Sequence, residues 1–346
     1  MDSAVSNQRE VRLSAILNVF DGFVTIRKTV RHLCAQTIRD QLEIVFVTTP
    51  STPPLPEIPM LGLVGAWQVV VVPERPTGAA GWAAGIRRAR APIVVLCEDH
   101  SFPEPGWAEA VLAAYRENFA AVAPALGNAN PRSLISWANF LLCFLEWYSP
   151  HDSGPVSAGP GHNTSYNREV LLEYGGLEHW LNAERLLHFD LAAKGRTIWL
   201  TAHAVTRHVN ISKPGSYLAQ SYLGGRVFGA ARAAHWPAWQ KVMYAMAFPL
   251  IPGVRLYRIA RALDSPEKRR ESRFFPALPW ILAGLLFHAL GEAVGYLSGA
   301  GGSIQHYMQF ETHRSQHVDE RDRWLLTDGD LHPSHARATD SEEYTS

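Results

Sequence analysis

Short apolar runs and amphipathic stretches take turns along the first half of the chain. Residues 11–19 alternate and then run apolar, which predicts a strand. Val24, Ile26, Val30, Leu33 and Cys34 recur at helical spacing, and Glu43 to Thr49 forms a second apolar run. A βαβ start of this kind predicts a parallel sheet with right-handed crossovers. Ser51 to Pro59 is proline-rich and reads as an irregular loop, after which Trp67 to Val72 predicts a third strand. Thr77 to Gly85 is rich in glycine and alanine and leads into a helix. The β-branched run Ala91 to Cys97 reads as a buried strand. A helix over Trp107 to Glu117 and a strand over Ala120 to Ala125 come next. Leu134 to Tyr148 predicts one long apolar helix. Arg168 to Tyr174 and Glu184 to Lys194 predict two more, the second stopped by Gly195. Strands over Arg196 to Leu200 and Ala204 to Val209 complete the pattern.

The last third changes character. Met243 to Val254 is apolar but broken by Pro249 and Pro252, and Arg255 to Arg273 is strongly basic. Phe275 to Leu297 is apolar and long enough to cross a bilayer, although it contains His288 and Glu292. Basic residues beside such a segment mark a cytoplasmic side, and Trp280 and Tyr296 suit the membrane interface. Gly284, Gly291 and Gly295 permit close helix packing. The expectation is a membrane-associated region, peripheral or integral, on the cytoplasmic face of the cell membrane. The alternative is a soluble helical hairpin covering the sheet. The polar tail over 310–346 is expected to be disordered, as are residues 1–10, which lack the apolar core of a signal peptide.

Composition narrows the partners. The 346 residues carry no net formal charge, so no overall field argues for nucleic acid. Cys34, Cys97 and Cys143 are scattered in apolar settings without metal or disulfide spacing, which fits reduced thiols in the cytosol.

The chemistry concentrates at a few points. Glu98-Asp99-His100 closes the fourth apolar run, and in open α/β sheets ligands bind at that end of the strands. Adjacent carboxylates there suit a divalent cation shared with phosphates, or a solvated turn. Gly161-His162-Asn163 offers close backbone approach and an amide that both donates and accepts; a helix-entry turn would use the same residues. Glu184 opens a helix, where a carboxylate is favourable in any case. His208 ends the final strand and is either structural or a ligand.

In this order and spacing, these segments resemble the family-2 glycosyltransferases, over about residues 11–232. The resemblance implies an α/β GT-A fold, an open, mostly parallel sheet flanked by helices, followed by the helical region over 233–309. It implies inverting transfer of a sugar from a nucleotide-diphosphate donor to a glycan or lipid-linked acceptor. Carried over residue by residue, Asp99 and His208 would hold Mg2+ or Mn2+, and Glu98 would contact the donor. His100 would be a further metal ligand or stand behind them. Gly161, His162 and Asn163 would line the acceptor and sugar pocket. Glu184, eleven residues before Gly195 and on the second position of the family's acidic pair, would be the general base. Arg226 would reach the diphosphate, although the Gln220 to Arg226 spacing departs from that of processive relatives. Thr48 and Thr49 stand where the family has acidic residues, leaving Asp21 as a substitute nucleotide contact, and Trp82-Ala83 replaces an Arg-Asn pair. These departures motivate an alternative: a degenerate scaffold that binds a glycan or partner at the membrane without catalysis. A nucleotidyltransferase is a weaker option, because Gly78 to Gly85 lacks the Lys and Ser/Thr of a phosphate loop.

Overall fold

The computed structural model describes residues 10–19, 22–23, 25–73, 77–182 and 184–326. The strands are β1 (Leu13–Asn18), β2 (Leu42–Thr48), β3 (Ala66–Val71), β4 (Ile93–Cys97), β5 (Ser101–Pro103), β6 (Ala121–Asn128), β7 (Gly154–Pro155), β8 (Ser165–Asn167) and β9 (Ile198–His208). The helices of the sheet domain are α1 (Ile26–Cys34), α2 (Gly78–Arg88), α3 (Trp107–Ala114), α4 (Leu134–Cys143), α5 (Arg168–Leu172), α6 (Leu177–Leu181) and α7 (Glu184–Ala193). Seven more follow: α8 (Pro214–Arg232), α9 (Ala238–Met246), α10 (Leu250–Ala262), α11 (Pro266–Glu271), α12 (Phe274–Ser298), α13 (Ser303–Thr312) and α14 (Arg314–His317).

The sheet runs in the order β3-β2-β1-β4-β8-β6-β9-β5, with β7 pairing β9. β1, β2, β3 and β4 are mutually parallel, as are β6 and β9, while β8 runs antiparallel to both its neighbours. The open, mostly parallel α/β sheet is the expected architecture. β2 and β4 are buried at every position, which is why they read as unbroken apolar runs. β3, at the edge, alternates half-buried and exposed positions. One layer packs α1 and α3 on the sheet through Val30, Leu33, Trp107 and Val111; the other packs α2 and α7 through Trp82, Ile86, Leu187 and Leu191. This topology sends the ends of β4 and β9 and the start of β8 to one rim. Glu98, His208 and Asn163 meet there.

Three expectations need correction. The helix expected over 134–148 stops at Cys143, because Phe144 leaves helical geometry (φ −127°, ψ 6°) and a 3-10 turn over Leu145–Trp147 follows. The two strands expected over 196–209 are one, β9. The tail from 310 is not disordered over its described part: α13 continues to Thr312, α14 follows, and a 3-10 segment spans Glu320–Leu325. Val318, Leu325 and Leu326 are buried against Phe102 and Val209, and Asn130 Nδ2 donates to Asp322 Oδ2 at 3.3 Å.

Helix α12 is long and apolar enough to cross a membrane by length and composition. Here it is the central strut of the C-terminal helices, pressed backbone to backbone against α8. A Cβ added at Gly225 would lie 2.0 Å from the His288 carbonyl oxygen, and one at Gly291 would lie 2.0 Å from that of Tyr222. His288 and Glu292 turn inward: Tyr296 hydroxyl donates to Glu292, and Arg232 stands 3.7 Å from the same carboxylate. Gly225→Ala should therefore push the two helices apart, costing about 1–3 kcal/mol. Thermal denaturation reads this as a lowered Tm; an unchanged Tm would contradict the close packing.

Candidate active site

The rim of the sheet carries a compact donor set. One ligand-capable atom each from Glu98, His100 and His208 lies within 4.8 Å of the others. Glu98 follows β4 and is fixed by Ser101 Oγ at 2.8 Å and Asn163 Nδ2 at 2.9 Å, both donating to its Oε2. Burial pushes the Glu98 carboxyl upward. His100, His162, His208 and the Ser101 hydrogen bond outweigh that and hold it below the usual carboxylate range.

The two imidazoles are turned in the same sense. His100 Nδ1 lies 2.7 Å from Asp99 Oδ1, and His208 Nδ1 lies 3.0 Å from Asn210 Oδ1. Both partners are acceptors, so each ring donates through Nδ1 and turns Nε2 toward the other. Both Nε2 atoms are buried with no hydrogen-bond partner among the described residues. Burial lowers the His208 pKa well below its ordinary value, which keeps that ring neutral. Imidazoles oriented by an oxygen behind them, with a carboxylate between, form a donor set that fits a divalent cation.

A second carboxylate faces the same space. Glu184 opens α7, and its Oε1 lies 3.4 Å from His162 Nδ1, while His162 Nε2 lies 3.9 Å from Glu98 Oε1. The His162 ring rests against Trp82 at a centroid distance of 4.6 Å. The loop reaches Glu184 through Gly161, whose φ of +71° is in the left-handed region and whose added Cβ would lie 3.4 Å from the Glu184 carboxyl carbon. Burial raises the Glu184 pKa above the ordinary carboxylate value; His162 works against this, and Glu98 and Glu311 add to it. Burial lowers the His162 pKa, but Glu98 and Glu184 more than compensate and leave it raised.

The far wall comes from the C-terminal strap. Ile304, Tyr307, Met308 and Glu311 of α13 and Arg314 of α14 line a cleft of about 420 Å³ with Glu98, His162, Glu184 and His208. Arg314 is buried and donates through Nη2 to Glu311 Oε2 at 2.5 Å; its Nε and Nη1 have no hydrogen-bond partner among the described residues. The cleft thus holds a cation-ready donor set, an unbonded guanidinium edge suited to phosphate oxygens and a carboxylate of raised pKa.

Residues 14–175 match the family model described as Glycosyl transferase family 2. Over that segment the chain is similar to the family-2 glycosyltransferases. No curated protein matches the chain. Among solved structures it is similar to GalNAc-T7 with UDP, GalNAc and Mn2+, at 12% identity over 59% of this chain and 44% of that one, with a TM-score of 0.39. It is also similar to the mannosyltransferase PcManGT from Pyrobaculum calidifontis in complex with GDP-Man and Mn2+, at 17% identity, 82% and 87% coverage and a TM-score of 0.47. A third likeness is S. aureus TarS 1-349 in complex with UDP, at 12% identity, 86% and 92% coverage and a TM-score of 0.44. The chain spans less than half the length of the first of these.

Of the residues picked out in the sequence, Glu98, His162, Glu184 and His208 line one cleft. Asp99 is not in the donor set; its carboxylate accepts from Thr25 Oγ1, which donates to Oδ2 at 2.6 Å, and lies 2.7 Å from His100 Nδ1, while His100 is in the set. Asn163 is buried and spends its amide on Glu98 and Ser101 instead of lining the sugar pocket. Arg226 is not among the cleft-lining residues; its Nε donates to the Gly299 carbonyl at 2.9 Å. Asp21 lies outside the described residues. Glu311 and Arg314 escaped the sequence reading. The signal was present in Ile304, Tyr307, Met308 and Glu311, which recur at helical spacing within a polar stretch.

Proposed function

We propose that this chain is an inverting, divalent-metal-dependent glycosyltransferase acting on a nucleotide-diphosphate sugar and a glycan or lipid-linked acceptor. The observation that carries the proposal is one cleft lined by Glu98 and His208 of the donor set, by Arg314 and, facing them, by Glu184. Glu98, His100 and His208 would hold the cation, and two imidazoles favour Mn2+ over the harder Mg2+. Once bound, the cation would offset the charge that grows on the leaving diphosphate. Arg314 would receive the diphosphate oxygens through Nε and Nη1. Glu184 would take the acceptor hydroxyl's proton as that oxygen bonds to the anomeric carbon and the bond to the diphosphate breaks on the opposite face. His162, held by Trp82, would keep the Glu184 carboxylate in place. The apolar and basic surface of the C-terminal helices supports a place on the cytoplasmic face of a membrane, near a lipid-linked acceptor.

A thermal-shift series with UDP- and GDP-sugars, with and without Mn2+, tests this reading. A nucleotide sugar should raise the Tm only when Mn2+ is present. Thr48, Thr49 and Ala83, where the family has polar nucleotide contacts, favour the second reading, a non-catalytic glycan-binding scaffold. Indifference to every donor, with or without Mn2+, would leave that reading standing.

A further inference from the structure

The outer surface of the C-terminal helices is apolar to an unusual degree. On α12 the outward positions Phe275, Leu282, Leu286, Phe287, Leu290 and Leu297 are all exposed. On α9, which packs against α12, Trp239, Val242, Met243 and Met246 form one helical face, and Met246 is 76% exposed. Leu250 and Tyr257 extend the surface along α10, at 69% and 65% exposure. A contiguous face of this kind on a water-soluble domain marks a contact surface.

Charge selects its partner. From Ala233 to Leu263 there are four basic residues, Lys241, Arg255, Arg258 and Arg261, and no acidic one. Arg258 and Arg261 are exposed beside Tyr257. Arg269, Arg270 and Arg273 line a second cleft together with the exposed Phe275. The only carboxylate on α12, Glu292, is buried under Arg232 and Tyr296. Apolar helix faces with cations at their margins match the acyl boundary and anionic headgroups of a bilayer.

The fold also fixes how that bilayer is met. Before α12, Arg273 Nη1 donates to the Arg132 carbonyl of the sheet domain at 2.9 Å; after it, Glu311 and Arg314 return to the active-site cleft. Both ends of α12 therefore belong to the same side, and its inner face is committed to α8. A helix so held does not cross a membrane. Resting on the glycosyltransferase reading above, we propose that the α9, α10 and α12 face lies in the plane of an anionic bilayer, sunk about 5–10 Å into its surface, and so holds the cleft beside a membrane-borne acceptor.

Flotation of the full chain with vesicles tests the proposal. The chain should float with phosphatidylcholine vesicles that contain phosphatidylglycerol, and less with phosphatidylcholine alone. The pair Trp239→Asp and Met246→Asp, at exposed positions, should lower flotation affinity at least about tenfold. The pair Arg258→Glu and Arg261→Glu should lower it about fivefold or more for each lost cation and weaken its salt dependence. Wild-type flotation by both pairs would overturn the proposal. So would a lipid-free dimer, seen by sedimentation velocity, that Met246→Asp dissolves, because the face would then belong to a second copy. Mn2+-dependent stabilisation by a nucleotide sugar, measured on the same variants, reports separately on the catalytic reading.

Discussion

Replacing Glu184 with glutamine is expected to lower turnover about 10²–10⁴-fold while leaving metal and donor binding intact. The substitution keeps the shape of the side chain and removes only its capacity to accept a proton. Single-turnover transfer and Mn2+-dependent thermal shift with the donor separate the two effects, and near-normal turnover would sink the assignment of the base. The pH profile carries a further sign. Burial raises the Glu184 pKa above the ordinary carboxylate value, and the base works only when deprotonated. The rate should thus fall as pH drops through that raised value, earlier than for a solvated glutamate. His162 works against the rise. His162→Gln removes the opposing cation, so the acid limb should move to higher pH; a limb that moved down would contradict the pairing.

The second large effect concerns the donor set. His208→Ala should abolish the Mn2+-dependent stabilisation and reduce transfer about 10³-fold, the scale on which loss of charge stabilisation at a reacting centre is felt. Asp99→Ala should be milder. Asp99 sits behind His100 and fixes the face of the ring, and loss of such a partner typically costs 10–100-fold in metal affinity. Mn2+ titration of each variant by thermal shift or calorimetry gives the ranking. If Asp99→Ala loses Mn2+ as completely as His208→Ala does, the ligand set is wrong and the sequence's choice of Asp99 as a ligand was the better one.

That contrast shows where the sequence was legible. β1, β2 and β4 are covered on both faces, so their residues are mostly apolar, with buried Ser14 donating to buried Glu43, and the sheet could be read from them. The end of β4 was legible as a site for the same reason, since carboxylates have no business after such a run unless something meets them. Which of the three residues faces the cleft was a finer matter. β4 ends at Cys97 and Asp99 and His100 lie in a turn, which groups Glu98 and His100 with His208 and gives Asp99 to Thr25; strand alternation does not reach into that turn. The strap was missed for a different reason. Its mean composition is polar, and only the spacing of Ile304, Tyr307 and Met308 betrays a face that packs. Arg226 misled in the opposite direction: an arginine at a suggestive distance serves to tie α8 to the loop after α12.

The cleft is a seam between two stretches of chain far apart in sequence, with Glu98 on one lip and Arg314 on the other. The lip that carries the donor set and the base is rooted in the sheet. The opposing lip is a short helical coda, α13 and α14, reached only after the chain has threaded five further helices, α8 to α12. A catalytic unit defined by the matched residues 14–175 would end before His208 and Glu184 are made, and one ending with α12 would own every candidate metal ligand yet lack the guanidinium opposite them. Substrate preference can accordingly drift through the coda while the sheet stays untouched, as a lock can be rekeyed without recasting its body.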